Sequence, residues 1–202
     1  LEIILDAEIR PDALMLPKCD GAEEIREVVS ILGDSLADLP LIVMVETARG
    51  VASAEAIASA VPTVVAVFFG AIDYSADVGC QVVWDAVLYA RSRVVNAASM
   101  VGVSAIDSPF MNVEAAEMLA DESRKTRALG FVGKAAIHPS QVPIIQSAFS
   151  PPASEISWAK RIVDAYERND GGVLLVDGKL VERPVITAAK RILAIAEMIR
   201  ES

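Results

Sequence analysis

Two residue types that often carry metal or redox chemistry are scarce in this sequence. Its 202 residues include two cysteines and a single histidine. Cys19 and Cys80 lie in no metal-ligand spacing, which argues against a cysteine metal site and against a disulfide framework. Unpaired cysteines of this kind are typical of the reduced thiols of cytosolic proteins. We therefore expect two bystander cysteines in a cytoplasmic protein.

Positive charge and long apolar stretches are also in short supply. The chain has 18 basic and 28 acidic residues, for a net charge of −10, whereas nucleic-acid binding requires a basic face. No stretch approaches the roughly 20 apolar residues of a membrane span. Residues 1–6 lack the basic segment and apolar core of a signal peptide. We expect a soluble protein that binds neither nucleic acid nor membranes.

Hydrophobic side chains, in contrast, are abundant at 53% of the residues, which is ample for a core. Short apolar runs alternate with segments of helical periodicity. Five runs are candidate strands: residues 12–18, 40–46, 64–71, 102–107 and 131–139. Such alternation predicts an α/β fold with a parallel sheet, and polar groups gathered at one rim suit a (β/α)8 barrel of the TIM type.

The strand count falls short of a closed barrel. A barrel of this type needs eight strands and typically about 250 residues, and five strands alone would expose a wide apolar edge. The chain also begins with Leu1 and not with Met. We therefore expect that its first three βα units are missing, together with the native N-terminus.

Two of the apolar runs lead directly to an acidic residue. Glu46 follows residues 41–45, and Asp73 comes two positions after the run 64–71. Each acid alone would suit the start of the helix that follows. Because the carboxyl ends of parallel strands form the edge where ligands bind, the two acids together favour a site for a hard cation.

The last part of the chain has a different character. Helical periodicity is followed by a predicted β-hairpin over residues 171–182, with Asp177-Gly178 as its turn, and then by a second helical segment. We predict two domains, residues 1–150 with five βα units of a barrel and residues 151–202 as a helix-hairpin-helix extension. The extension either covers the barrel wall, makes an oligomer contact or takes part in catalysis.

Five segments along the chain carry motif-like combinations of residues. They are residues 45–50 (VETARG), 69–73 (FGAID), 88–95 (LYARSRVV), 105–110 (AIDSPF) and 133–141 (GKAAIHPSQ). In this order they resemble the motifs of the citrate lyase β-subunit-like branch of the HpcH/HpaI aldolase superfamily. The resemblance covers essentially the whole chain. It implies a (β/α)8 barrel with a C-terminal extension, assembled as a homotrimer or as a hexamer.

The same resemblance implies an activity. Such proteins are Mg²⁺-dependent lyases that cleave or form a carbon–carbon bond in a 2-hydroxyacyl-CoA such as citryl-, malyl- or citramalyl-CoA, giving acetyl-CoA and a 2-oxo acid. An aldolase of the HpcH type that acts on free 2-oxo acids remains an alternative. A non-catalytic relative that binds metal or acyl-CoA is the third reading.

The resemblance also implies site residues. It makes Glu46 and Asp73 the magnesium ligands, and Mg²⁺ often takes only one or two protein carboxylates and leaves its other positions to water and substrate. Bound metal would polarise the carbonyl group of the oxo acid. The backbone N–H groups of Gly70 and Ala71 would hold the carboxylate of the oxo acid, so that Glu46, Gly70 and Ala71 form the substrate-binding set. Tight packing at a strand end is the alternative for the two small residues.

One expected catalytic residue departs from the pattern of the relatives. They carry an Asp in an Ile-Asp-x-Pro pattern that reaches a neighbouring subunit, whereas residues 181–184 here read Val-Glu-Arg-Pro. Glu182 then becomes the catalytic acid/base that exchanges a proton with the acetyl carbon. Its extra methylene moves the carboxylate, and misplacement of about 1 Å can cost about a hundredfold in rate. A solvent-facing hairpin acid is the alternative.

The remaining charged residues are harder to assign. An Arg and a supporting acid that relatives carry on their first three strands have no counterpart here. His138 belongs to a turn that we interpret as structural. Lys18, Arg49 and Lys134 lie near strand ends and would offset the charge of CoA phosphates, whereas Arg91 and Arg93 suit a solvated helix face equally well. We assign none of them to a phosphate.

Overall fold

The structure is a computed structural model that describes residues 10–169 and 174–201. Residues 1–6, examined above for a signal peptide, and residues 171–173 of the predicted hairpin lie outside the described residues. The chain divides into two compact units, Leu1–Ile145 and Gln146–Ser202. The division predicted at residue 150 and the roles given to the two parts stay predictions.

A five-stranded parallel sheet organises the first unit. Its strands are β1 (Leu14–Leu16), β2 (Leu41–Val45), β3 (Val64–Phe69), β4 (Ser104–Asp107) and β5 (Gly133–Lys134). Each strand pairs in parallel with the next one along the chain, so that the sheet order is β1-β2-β3-β4-β5. The predicted α/β fold with a parallel sheet is confirmed. Within the described residues the sheet is open, with β1 and β5 at its two edges.

The central strand β3 explains why the apolar run at residues 64–71 is so long. Five of its six residues are buried, as expected for a parallel strand that is covered on both faces. Val45 of β2 lies opposite Phe69 of β3. The residues that follow the two strands, Glu46 and Gly70, therefore leave the sheet side by side.

Helices lie between these strands and after the last one. They are α1 (Ala22–Leu32), α2 (Ala48–Ala52), α3 (Ala54–Ala58), α4 (Ala71–Val78), α5 (Trp84–Val101), α6 (Ala116–Leu129) and α7 (Val142–Phe149), with short 3₁₀ turns at Asp34–Leu36 and Pro139–Gln141. Gly79, Gly102 and Gly130 follow α4, α5 and α6 with φ angles of 73°, 77° and 117°. Glycine ends helices in this left-handed conformation because it has no Cβ to clash.

The second unit contains α8 (Ala153–Glu167), the antiparallel strands β6 (Leu174–Val176) and β7 (Lys179–Val181), and α9 (Arg183–Glu201). Asp177 and Gly178 form the hairpin turn with φ angles of 51° and 73°, as the Asp-Gly pair predicts. Its buried core consists of Ala159, Ile162, Val181, Ile186 and Ala189. No helix in the described parts of the chain is long and apolar enough to cross a membrane.

Candidate active site

Glu46 is a buried carboxylate at the end of β2. It is 4% exposed, and its Oε1 accepts a hydrogen bond of 2.9 Å from the backbone N–H of Lys18. A buried carboxylate without a partner would be strongly destabilising, so this bond matters for keeping Glu46 in place. Lys18 follows β1, and the bond therefore links the carboxyl ends of two neighbouring strands.

Gly70 lies directly against the Glu46 side chain. A Cβ atom at position 70 would come within 2.5 Å of both Cβ and Oε2 of Glu46, a distance that real Cβ atoms essentially never show. Only glycine therefore leaves room for the carboxylate. The Gly70 N–H donates to the carbonyl of Val45 (3.0 Å), because the pairing of β2 and β3 continues one residue past the strands.

This pairing corrects one expectation about Gly70. Its N–H group is used within the protein, so it is not available to hold the carboxylate of an oxo acid. A substrate-binding role for Gly70 then depends on its missing side chain. Ala71 differs, because it is the first residue of α4, where backbone N–H groups have no partner inside the helix.

Asp73 lies in the first turn of α4, and its side chain is 52% exposed. The Nζ of Lys18 is 3.8 Å from its Oδ1. Lys18 thus contacts both predicted metal ligands, Glu46 through its backbone and Asp73 through its ammonium group. The structure brings Glu46, Gly70, Ala71 and Asp73 together at the carboxyl edge of β2 and β3.

The backbone of Lys18 has an unusual conformation. Its φ angle is 51°, in the left-handed region that residues other than glycine rarely adopt. Strain of this kind costs about 1–3 kcal/mol and persists only where surrounding contacts impose it. Two such contacts are present, from Lys18 N–H to Glu46 and from Cys19 N–H to the carbonyl of Met44 (3.0 Å). Nothing in a Pro-Lys-Cys sequence predicts this conformation.

The Thr and Gly of the segment 45–50 have structural tasks beside Glu46. The hydroxyl oxygen of Thr47 caps α2 by accepting from Gly50 N–H (2.9 Å) and donates to the carboxylate of Asp20. A Cβ at Gly50 would lie 2.6 Å from the carbonyl oxygen of Cys19. These contacts hold the start of α2 against the segment that contains Lys18.

Cys19 lies next to this site, but its thiol is expected to be unreactive. It is 3% exposed. Burial raises the pKa of its thiol to about 11, and nearby carboxylates, including that of Glu46, add to the rise. The group is therefore a protonated thiol at neutral pH, in line with the bystander role expected from the sequence.

A second cluster of charges lies at the ends of β4 and β5. Asp107 and Lys134 are paired in the sheet register. The Nζ of Lys134 lies 2.7 Å from each of three oxygens, Asp107 Oδ2, Glu122 Oε1 and the carbonyl oxygen of Ser108. All three ammonium protons have acceptors, so Lys134 is not available to a CoA phosphate.

Arg91 completes this cluster. Its Nε and Nη2 lie 3.0 and 3.2 Å from the two carboxylate oxygens of Asp107, and its guanidinium carbon lies 4.7 Å from the ring centroid of Trp84. The side chain is 3% exposed and not solvated, contrary to one reading of the sequence. Burial alone would raise the pKa of Asp107, but the charges of Lys134 and Arg91 hold that pKa below its usual range.

His138 and Glu182 complete the set of residues predicted from the sequence. The exposed His138 caps the turn Pro139–Gln141, with its Nδ1 accepting from Ser140 N–H at 3.2 Å, which agrees with a structural role. Glu182 belongs to the second unit. It is exposed and lies between β7 and α9, where its carbonyl oxygen accepts from the N–H groups of Val185 and Ile186. Its catalytic role stays a prediction.

The donor set at the first site fits a hard divalent cation. Across residues 10–169 and 174–201, no group of three or more His, Cys, Asp and Glu side chains could hold a metal ion, which argues against a closed structural site in these ranges. Glu46 and Asp73 offer oxygen atoms only. Mg²⁺ prefers oxygen and is commonly held by one or two carboxylates together with water and substrate, so the pair fits Mg²⁺.

Comparison with known proteins identifies relatives of the chain. A family model described as HpcH/HpaI aldolase/citrate lyase matches residues 2–139. The mitochondrial citramalyl-CoA lyase of Mus musculus is 33% identical over 220 aligned residues, which cover 100% of this chain and 65% of that protein. A citrate lyase subunit beta-like protein of Mycobacterium tuberculosis is 34% identical over 187 residues, covering 89% and 65%. This chain thus spans just under two thirds of these curated relatives.

Solved structures give a similar result. RipC from Yersinia pestis is 38% identical, with a TM-score of 0.72 over 77% of this chain and 71% of its own. The CitE protein of Mycobacterium tuberculosis, crystallised with magnesium, acetoacetate and coenzyme A, is 33% identical with a TM-score of 0.77 and covers 92% and 68%. A citrate lyase from Burkholderia xenovorans, 21% identical with a TM-score of 0.84 over 98% of this chain and 67% of its own, shares the fold.

Proposed function

This chain belongs to the HpcH/HpaI aldolase/citrate lyase family, and from this premise we propose that it carries the metal site of a Mg²⁺-dependent carbon–carbon lyase. The proposed substrate is a 2-hydroxyacyl-CoA such as citryl-, malyl- or citramalyl-CoA, and the products are acetyl-CoA and a 2-oxo acid. The observation that carries the proposal is the convergence of Glu46 and Asp73 on Lys18 at one edge of the sheet. A relative crystallised with magnesium, acetoacetate and coenzyme A supports it.

The residues at this edge have separate tasks in the proposed reaction. Glu46 and Asp73 would hold Mg²⁺, which when bound supplies polarisation of the oxo-acid carbonyl group. Gly70 leaves the space that the Glu46 carboxylate occupies. The N–H of Ala71 at the start of α4 would orient the carboxylate of the oxo acid, because helix N-termini favour anions. Glu182 would exchange the proton at the acetyl carbon.

The finer architecture is part of this proposal. The open sheet would form five strands of a (β/α)8 barrel whose first three βα units are not in this chain. The helix-hairpin-helix unit would act as its extension, and the protein would assemble as a homotrimer or hexamer in the cytoplasm. The 65% share of the length of the curated relatives supports this reading.

The test combines metal binding with turnover. We would measure Mg²⁺ binding by calorimetry and release of acetyl-CoA from malyl-CoA and citramalyl-CoA, with Glu46→Gln and Asp73→Asn as variants. Asp85→Asn is the matched control, because Asp85 is an exposed acid in the first turn of another helix, α5. We expect both site variants to lose binding and release, and the control to retain them. Binding that survives in both site variants would contradict the proposed metal site.

One observation favours a second candidate. The motif resemblance implies an Asp at the position of Glu182, and its replacement by Glu suits a relative that binds metal and acyl-CoA without turnover. Binding of CoA without release of acetyl-CoA from either thioester would support this candidate. Turnover of free 2-oxo acids without the thioester would instead support an aldolase of the HpcH type, which uses the same two carboxylates.

A further inference from the structure

Lys18 contacts both of the proposed metal carboxylates, although it lies in none of the five motif-like segments. Its backbone N–H donates to Glu46 Oε1 at 2.9 Å, and its Nζ lies 3.8 Å from Asp73 Oδ1. The two contacts involve different parts of one residue. Glu46 is therefore held by an uncharged donor, whereas Asp73 is paired with an exposed positive charge.

We propose that the ammonium group of Lys18 serves as a built-in monovalent cation of the metal site. It pairs with Asp73 until a divalent cation displaces it. The inference rests on the proposed Mg²⁺ site and adds a residue that keeps weakly bound monovalent ions off it. The Lys18 side chain is 68% exposed, so its ammonium group can leave Asp73 for solvent without a buried charge being left behind. The backbone contact to Glu46 does not depend on the position of the ammonium group.

The ionic charges explain why divalent ions, and not monovalent ions, would displace the ammonium group of Lys18. A monovalent ion that replaces the ammonium group exchanges one positive charge for another and gains little. A divalent ion brings twice the charge to the same carboxylates and therefore gains in Coulomb energy. Lys18 would lower the affinity for every cation by the same factor, and monovalent ions, which bind more weakly, would then no longer compete.

The left-handed backbone of Lys18 supplies a clean variant. Because its φ angle is 51°, Lys18→Gly keeps the backbone conformation at no steric cost and retains the N–H donor, while it removes the ammonium group. Lys18→Met also removes the charge but keeps most of the side-chain volume. Lys18→Arg keeps the charge. Lys125→Met is the matched control, since Lys125 is a half-exposed lysine paired with an aspartate, Asp121, at 2.8 Å.

The experiment measures the binding of Mn²⁺, followed by electron paramagnetic resonance, to the 202-residue chain in low salt and in added KCl. In low salt we expect Lys18→Gly and Lys18→Met to bind Mn²⁺ about three- to tenfold more tightly than the parent protein, because one nearby positive charge is removed. Lys18→Arg and Lys125→Met should retain the parent affinity. In KCl the two charge-removing variants should lose more affinity than the parent protein.

Negative results would have two different meanings. Equal or weaker Mn²⁺ binding in both Lys18→Gly and Lys18→Met, with normal circular dichroism, would overturn the role of Lys18 and leave the metal site in place. Failure of the parent protein to bind Mn²⁺ would overturn the proposed metal site and the role of Lys18 with it. Binding that persists in both Glu46→Gln and Asp73→Asn would do the same.

Discussion

The ammonium group of Lys134 lies 2.7 Å from the carboxylate of Asp107, and both side chains are completely buried. The two residues end neighbouring strands and are paired in the sheet register. Arg91 and Glu122 add a second positive and a second negative charge at 3.0–3.2 Å. Such a cluster is stable only while every charge keeps its partners.

Replacing Lys134 by methionine should therefore destabilise the protein strongly. Lys134→Met leaves Asp107 buried with one cation instead of two, and breaking a buried ion pair in this way costs about 3–5 kcal/mol. Urea unfolding followed by circular dichroism measures the change. The exposed pair of Lys125 and Asp121 is the control, and Lys125→Met should change the free energy of unfolding by no more than about 0.5 kcal/mol. Equal effects of the two substitutions would contradict the prediction.

Acid should destabilise the protein through Asp107. The pKa of this carboxyl is lowered in the folded state, so the unfolded state binds its proton at a higher pH than the folded state does. The stabilisation is present above the unfolded pKa, near 3.9, and is lost as the pH falls toward the folded value, with a slope of at most about 1.4 kcal/mol per pH unit. Urea unfolding between pH 3 and pH 6 should show a flatter dependence for Asp107→Asn. An unchanged slope would mean that other acids dominate.

Adding one methyl group at Gly70 should damage the metal site. Its Cβ would lie 2.5 Å from Glu46 Oε2, so Gly70→Ala must displace the carboxylate. We expect at least a tenfold loss of Mg²⁺ affinity in calorimetry and a destabilisation of about 1–3 kcal/mol, as for other overpacking substitutions. Gly133→Ala is the control, because a Cβ there meets nothing within 4 Å. Normal Mg²⁺ binding by Gly70→Ala would show that the carboxylate can move without loss of function.

The two cysteines should differ in reactivity. Cys19 is buried with a thiol pKa of about 11, and the reactive form of a cysteine is the thiolate. Cys80 is partly exposed. Iodoacetamide at pH 7.5 should therefore modify one thiol in the folded protein and two in urea, and intact-mass spectrometry with peptide mapping should assign the first to Cys80. Rapid modification of Cys19 in the folded protein would show that its segment opens.

Glu182 should affect turnover and leave the metal site unchanged. Removal of a general acid/base typically costs 10²–10⁴-fold in rate, so Glu182→Gln should reduce acetyl-CoA release by about that factor. Glu182→Asp keeps a carboxylate at this position and should retain activity. Mg²⁺ affinity should stay the same in both variants, since Glu182 is not a proposed ligand. Unchanged release of acetyl-CoA by Glu182→Gln would show that Glu182 is a solvent-facing hairpin acid without a catalytic role.

The parallel sheet is predictable from the sequence because its central strand is buried on both faces. Val64–Phe69 lies within a run of eight residues without a polar side chain, and a run of this length and composition is typical of a strand that is buried on both faces. Helix α4 is harder to find. Ala71–Val78 begins soon after β3 and contains two acids. The sequence therefore predicts a polar loop at the strand end as readily as the start of a helix.

A residue of the candidate site is predictable from the sequence only where it directly follows a recognisable apolar strand. Glu46 and Asp73 stand out because each follows an apolar run. The burial of Arg91 and Lys134 is not foreseeable, because these side chains are usually exposed and their partner Asp107 lies 16 and 27 residues away along the chain. The contacts of Lys18 with Glu46 and Asp73 are not foreseeable either, because no side-chain pattern encodes its left-handed backbone conformation.

The sheet also adds its strands in the order in which a ribosome makes them. Each of β2, β3, β4 and β5 pairs with the strand synthesised just before it, so its partner has already left the exit tunnel. Translation proceeds at roughly 5–20 residues per second, whereas helices and hairpins form within about 0.1–10 μs. The helix of each βα unit therefore has time to form before the next unit emerges. An apolar strand such as Val64–Phe69 thus emerges after its partner β2 and together with helices that are already formed.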